Sequence, residues 1–421
     1  MLSPEYIDTI PDYFVDLFQD LEAFVISDFA KKVAKAGTIT SSAEWQAMRA
    51  KEIGMSMADL DKELKKVTKL SQKEIDGIVE EVAKTSLKND SHLYESKNKL
   101  VPSLEDSETL QKYVQSAKEQ TSGDLFNMTQ SLGFARVING KIEYLPTYEF
   151  YNKALDLAQF QVSTGILDYN KATQNAIKTI AESGLRWIDY ESGVHNRIDV
   201  AVKRAVRTGV NQMSSKMNDY VVDDLGADYV EVTAHEGARP DHAEWQGRIF
   251  KVVGHDDKYP NLAEVTGLGT GGGLCGWNCR HNYYAFFPEF STPTYSDKEL
   301  KNIDNPPFEY KGKTYTHYEA TQKQRQIETA IRKTENELIG YDASGNTKAF
   351  DTASIKLQRQ KEAYRDFTKS ANLKLQPERY EVNGFTRSIK RKSTIAGKKT
   401  VAKTTKSDII KSKKKVEKVD S

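Results

Sequence analysis

Apolar residues in the first half of the chain recur at helical spacing. Over 12–30, Tyr13, Phe14, Leu17, Phe18, Leu21, Phe24 and Val25 fall three or four apart, which predicts an amphipathic helix. Ser71-Gln72-Lys73-Glu74 has the form of a capping box. It predicts a helix start with Ile75, Ile78, Val79, Val82 and Ala83 on the buried face. Ser103-Leu104-Glu105-Asp106, after Pro102, predicts another start. Around Asn139-Gly140 the period changes: Val137, Ile138, Ile142 and Tyr144 flank a dipeptide suited to a tight hairpin. Helices resume over 148–164, 169–184 and 196–224. The last has Ile198, Val202, Ala205, Val206 and Val210 on its apolar face and Lys203, Arg204 and Arg207 outside it.

Near residue 227 the pattern shifts again. Tyr229–Thr233 and Arg248–Val253 read as strands. A stretch with Pro293, Pro306 and Pro307 follows. Residues 318–340 and 352–370 then read as two charged helices joined through Gly340–Asn346. The expectation is a mainly α chain with a small α+β domain. It comprises a helical region of long helices at 1–224 and a compact Cys/His-containing motif domain at 225–290. A linker at 291–317, a helical hairpin at 318–386 and a disordered basic tail at 387–421 complete it.

Composition sharpens this picture. Charged residues make up 29% of the 421 positions and hydrophobic ones 38%, with mean hydropathy −0.64. That balance favours long solvated helices over a compact, core-rich enzyme. Two cysteines exclude a disulfide framework. No run approaches the ~18 apolar residues of a membrane-spanning helix. The first 30 residues carry seven acids and no base, the reverse of a secretory signal, so synthesis and retention in a cytoplasm are expected. The formal charge of +1 hides a division. Residues 387–421 hold thirteen Lys and Arg against three acids, a net of +10, and the rest carries −9. The basic segment, with Lys398, Lys399, Lys413, Lys414 and Lys415, is read either as a DNA contact driven by counterion release or as a solubilising tail.

Scarce, chemically capable residues gather in 235–281. His235, His242, His255 and His281 are four of the seven histidines. Both cysteines, Cys275 and Cys279, lie there with Trp245 and Trp277, and six of 25 glycines sit in 267–276. Cys275, Cys279 and His281 fall within seven residues, and His242 or His235 can close a tetrahedron. Thiolate with imidazole suits a structural zinc. The alternatives are a metal-free, hydrogen-bonded core, a disulfide between the two cysteines, or catalysis. A catalytic site would pair a thiolate with His281 or His242, or use a hydrolytic metal held by His235, Glu236, Asp241 and His242. No H-E-x-x-H or G-x-S-x-G is present. The glycine run 267–273 lacks the Lys-Ser/Thr and the strand–turn–helix context of a phosphate loop, and reads as a turning loop before Cys275. Arg239–His242 reads as a turn, and Trp245 and Trp277 as core anchors.

Two blocks carry a resemblance. Ala234-His235-Glu236-Gly237-Ala238-Arg239-Pro240-Asp241-His242-Ala243-Glu244-Trp245-Gln246-Gly247 is one, and Gly269 to His281, with Leu274-Cys275-Gly276-Trp277-Asn278-Cys279-Arg280-His281, is the other. Both resemble the core motifs of phage minor capsid protein 2, a family of tailed phages and prophages of Gram-positive bacteria, similar to the Mu-type head-morphogenesis proteins. Gly184–Tyr190 and Arg204–Gln212 fit the same family, over about residues 5–385. The matched motif positions include His235, Arg239, Asp241, Trp245, Gly247, Trp277, Asn278 and Arg280.

The resemblance implies a non-enzymatic, few-copy virion component, assembled in the host cytoplasm. It would work near the portal with other capsid proteins, supporting head assembly and DNA packaging or delivery; the lack of a long apolar run separately leads to the expectation of no membrane partner. The competing classes are a metal-dependent hydrolase or nuclease centred on the His/Asp/Cys cluster, and a nucleic-acid-binding protein acting through its tail.

Overall fold

A computed structural model describes residues 2–36, 42–138, 141–188, 194–254 and 256–398. Asn139-Gly140, Asp189, Tyr190, His255, Lys399, Lys413, Lys414 and Lys415 lie outside the described residues. The chain is mostly helical with compact β regions, as its periodicity predicts. It divides into two units, each drawn from three stretches of sequence.

One unit comprises Phe18–Leu64, Leu132–Arg197 and the chain from Gln322 onward. Its sheet is antiparallel in the order β2-β1-β3-β4, with β1 Leu132–Ile138, β2 Lys141–Pro146, β3 Arg186–Ile188 and β4 His195–Arg197. The first two strands are the expected hairpin; the latter two lie between the helices expected over 169–184 and 196–224, with β4 taking the start of the second. Helices Thr147–Ser163 and Tyr169–Ser183 belong to this unit. Phe134 stacks obliquely on Phe150 at 4.8 Å, and Phe29 meets Tyr151 at 5.0 Å. The C-terminal helices run to Ser344 and from Thr347 to Ser370. Their turn is shorter than the Gly340–Asn346 span: Gly345 takes φ +71° and Asn346 caps the second helix through Ala349 N–H at 3.1 Å.

The chain stays folded beyond residue 386. Residues 387–398, expected in the basic tail, form a helix. Ile389 and Ser393 are buried, and a side chain on Gly397 would strike the Gln358 amide at 2.5 Å. Positions four apart thus seat this helix in spite of its charge, while Lys398 is exposed.

The other unit comprises residues 1–17, Lys65–Ser131 and Ile198–Thr321. The helix from Ser42 to Asn89 is continuous, so the capping box at Ser71 is not used. Ser71 is buried, and Gln72 bonds Asp76 one turn on at 3.0 Å. The start expected at Ser103 falls at Glu108 instead, capped by Ser107. Ser103 accepts from Glu105 N–H in a turn. The motif sheet has the order β6-β5-β7, with β5 Tyr229–Val232, β6 Ile249–Lys251 and β7 Tyr283–Phe286, all antiparallel. The linker stretch holds a helix, Asp297–Lys301, and a small hairpin of β8 Phe308–Tyr310 and β9 Lys313–Tyr315. The motif region is therefore built into a larger unit. Its β7 packs on the Ile198–Leu225 helix, whose Val202, Val206 and Val210 are buried.

Candidate metal centre

Polar side chains inside the apolar stripe of the Ile198–Leu225 helix hold the second motif block. Asn211 Nδ2 donates to the carbonyls of Cys279 at 3.1 Å and His281 at 3.0 Å. Asn282 Nδ2 donates to Ser214 Oγ at 2.7 Å and to Asn211 Oδ1 at 3.2 Å. Asn218 Nδ2 donates to Asn282 Oδ1 at 2.7 Å. All four residues are buried, and such groups persist in a core only when paired. Their recurrence at 211, 214 and 218 is a helical period of polar residues on an otherwise apolar face. That polar period is legible in the sequence.

Asn278 N–H donates to Thr208 Oγ1 at 3.1 Å. Arg207, expected outside the apolar face, is buried: its guanidinium donates to Asn278 Oδ1 and Asp8 Oδ1. A charged side chain turns inward here because a carboxylate and an amide receive it. Arg280 lies 3.8 Å from the same Asp8.

The glycine run forms stacked turns. Leu274 N–H donates to Thr266 O at 3.0 Å, and Trp277 N–H to Gly271 O at 2.7 Å. A side chain at Gly273 would lie 2.0 Å from Gly267 O, so only glycine lets the turns close this tightly. They deliver Cys279 to His281 and to His242, which sits on the short helix Pro240–Ala243 rather than in the simple turn expected there.

Three ligand atoms converge: His242 Nδ1, His281 Nδ1 and Cys279 Sγ, all in buried residues. The two nitrogens are 3.3 Å apart, and the sulfur is 3.8 Å from His242 and 3.7 Å from His281. The far edges of both rings meet acceptors. His281 Nε2–H donates to Gln246 Oε1 at 3.1 Å, and His242 Nε2–H to Gly272 O at 3.0 Å. Gln246 Oε1 also accepts from His235 N–H at 3.0 Å. The Gln246 contact places the His281 proton on Nε2 and leaves its Nδ1 lone pair facing the sulfur. Arg239 lies against the same His242 Nε2 and donates to Gly272 O at 2.8 Å. His242 Nε2 cannot both donate to Gly272 and accept from Arg239; a cation at Nδ1 would select the first arrangement. Burial lowers the pKa of both histidines, and for His281 the facing His235 and His242 rings add to it. Burial also raises the Cys279 thiol. Neutral imidazoles suit metal binding; the thiol must lose its proton to bind.

Cys275, expected as a fourth ligand, is not brought into this set. Its Sγ contacts His281 O at 3.6 Å and Asn282 Oδ1 at 3.9 Å, and its backbone takes φ +57°. Both cysteines are free thiols.

The family model for phage minor capsid protein 2 matches residues 2–369. The chain belongs to that family. No curated protein and no solved structure matches it.

The remaining motif positions of this minor capsid protein divide by burial. His235 is buried, stacks on His281 at 4.3 Å and meets Arg280 Nη2 at 3.1 Å. Burial and that guanidinium lower its pKa to about 3. Trp245 is a core anchor, with its ring 4.4 Å from His242 and 5.0 Å from His281. Gly247 has φ +68°, and a side chain there would strike Leu300 at 2.4 Å. Trp277 is 66% exposed and is no core anchor; the backbone of the glycine turns lifts it out, and its indole covers Gly271. Asp241 is exposed and pairs with Arg239 at 3.8 Å.

A cleft of about 830 Å³, lined by Asp241, His242, Glu244, Arg248, Glu264 and Thr270 among others, meets the cluster at His242. No helix among the described residues is long and apolar enough to cross a membrane.

Proposed function

We propose that this minor capsid protein is a structural, non-enzymatic component of a tailed-phage head. In this reading it works at the portal vertex, supports head assembly and DNA packaging or delivery, and holds one zinc ion on His242, Cys279 and His281. One observation carries the zinc assignment. A tetrahedral zinc with Zn–N of ~2.05 Å and Zn–S of ~2.3 Å separates two nitrogens by ~3.3 Å and a nitrogen from a sulfur by ~3.6 Å. The three side chains present 3.3 Å between nitrogens, and 3.7 and 3.8 Å from nitrogen to sulfur. When bound, zinc contributes folding free energy by cross-linking the two motif blocks. The chain's own residues supply the rest: Gln246 and Gly272 orient the rings, and Asn211 fixes the carbonyls on either side of Arg280.

Family membership supports the role in the head. The structural reading draws on how fully the motif side chains are engaged in holding helix, turns and sheet together. The segregation of thirteen basic residues into 387–421 supports a contact with packaged DNA through Lys398, Lys399, Lys413, Lys414 and Lys415.

Mass spectrometry and localisation in purified virions test the assembly role: a few copies at one vertex are expected, and absence from virions ends it. Metal analysis of purified protein tests the zinc role. Near-stoichiometric zinc is expected, and stable metal-free protein overturns it. Hydrolysis of DNA or a phosphoester that His242→Ala abolishes without unfolding overturns the non-enzymatic reading. Salt-sensitive DNA binding that survives deletion of 399–421 removes the tail contact.

A further inference from the structure

We propose that the motif sheet takes up a fourth strand: an extended segment of a neighbouring protein, bearing lysine or arginine, laid beside β6 in the groove on the sheet's outer face. This goes beyond the assembly role proposed above, which names no contact surface, and it does not rest on the zinc.

β6 is an edge strand in the order β6-β5-β7. Val232 N–H donates to Arg248 O and Val252 N–H to Asp228 O, each at 2.9 Å, and Phe250 pairs with Val230. In an antiparallel ladder such alternate residues face the partner strand. The residues between them, Ile249 and Lys251, therefore turn N–H and C=O to the open side. Lys251 N–H is taken by Pro260 O at 2.9 Å, and Lys251 forms a single parallel bridge with Asn261. Ile249 is half-buried, and its backbone has no partner on the open side among the described residues. An added segment takes up the line of pairing where Pro260-Asn261 leaves it.

A groove of about 660 Å³ lies at this point, with Ile249 in its lining. Tyr259 and Pro260 line it towards the open edge, and Pro293, Tyr295 and Leu300 towards β5. Both walls are tied down. Asp256 accepts from Tyr259 N–H at 2.8 Å and Lys258 N–H at 3.0 Å. Glu231 on β5 accepts from Thr294 N–H at 2.8 Å and Tyr295 N–H at 3.3 Å. Fixed walls lose little freedom when the groove is filled. A free strand edge recognises an extended backbone, and apolar walls take its alternate side chains.

Charge selects the segment. Glu244, Asp297 and Glu299 line this groove with Arg248 and Lys258. The cleft of about 830 Å³ shares Glu244 and Arg248 with it and adds Asp241 and Glu264. The acids thus outnumber the bases by five to two. Glu244, Glu264 and Asp297 are exposed and form no ion pair among the described residues. A rim of this sign attracts Lys and Arg and repels acidic segments.

Fluorescence anisotropy of short labelled peptides of equal length, titrated with the full-length protein, tests this. The probes are alternating Lys-Val, alternating Glu-Val, and the Lys-Val peptide methylated at every backbone nitrogen, which keeps its charge and removes its strand donors. Saturable binding of one Lys-Val peptide per chain is expected, with the other two at least about tenfold weaker. Glu244→Lys combined with Asp297→Lys should weaken the Lys-Val peptide by a similar factor. Both positions are exposed, so the melting temperature should hold. No saturable binding, equal binding of the Glu-Val peptide, or binding that methylation or the double variant leaves unmoved overturns the proposal. The assembly role then stands or falls by its own test in virions. Should the double variant misfold, the methylated peptide decides by itself on the unmodified protein.

Discussion

Arg207→Ala removes the link that ties the N-terminal helix Pro4–Thr9 to the Cys279 turn. The guanidinium is 6% exposed and its partner Asp8 15% exposed. It also donates to Asn278 Oδ1, next to Cys279. Breaking a buried pair by deleting one partner costs ~3–5 kcal/mol, most of it the penalty of leaving the other charge uncompensated. Here Arg280 remains 3.8 Å from Asp8 and recovers part of that. The expected loss is therefore near the lower bound, about 3 kcal/mol. Urea unfolding of the full chain, followed by the fluorescence of buried Trp245, measures it. In an Asp8→Ala background the same substitution should cost much less, because the charge it strands is already gone. A loss below about 1 kcal/mol, or equal losses in both backgrounds, would refute the argument that this pair is desolvated and coupled.

Four further outcomes are expected. A chelator should lower the melting temperature of the unmodified protein and leave Cys279→Ala, already destabilised, unmoved; equal sensitivity of both would count against the metal. Gly273→Ala places a methyl 2.0 Å from Gly267 O and should cost ~1–3 kcal/mol or more through overpacking, with loss of bound metal as a second readout. Ile389→Ala should cost about 2 kcal/mol in urea unfolding, the low end for a buried aliphatic residue; no loss would count against the seating of the helix at 387–398.

The last concerns acid. Hydrogen bonds from Lys32, 2.7 Å away, and from Lys35 hold the Glu52 carboxyl below its usual value of 4.5. A depressed folded-state pKa adds stability above the unfolded value and surrenders it as pH falls through the folded one. Acidification below about pH 4.5 should therefore destabilise the unmodified protein more than Glu52→Gln. Parallel acid profiles would remove the pair from the account.

Periodicity alone established the helices Asp12–Ala36, Thr147–Ser163, Tyr169–Ser183 and Ile198–Leu225 to within a few residues, and the strands β5 and β6. Those elements bury a face whose spacing is local, so the face is written in the sequence. The gathering of His242, Cys279 and His281 as candidate ligands was legible for a similar reason: scarce residue types clustered along the chain. Tertiary structure decided what spacing cannot carry. Ser71 is a capping residue by pattern, yet the helix runs through it, with Val67 and Ile75, one turn to either side, buried on the same face as Ser71. Trp277 is apolar and aromatic, yet exposed, because the turns before it have no room for it inside. Arg207 is charged, yet buried, because Asp8, about two hundred residues away, comes to meet it. Cys275 and Cys279 are equivalent by composition; only the Cys279 thiol joins His242 and His281, while Cys275, on a left-handed backbone, does not. Each outcome depends on which groups arrive from elsewhere in the chain. A residue's own chemistry determines what it can bond, and only the assembled fold determines what is within reach.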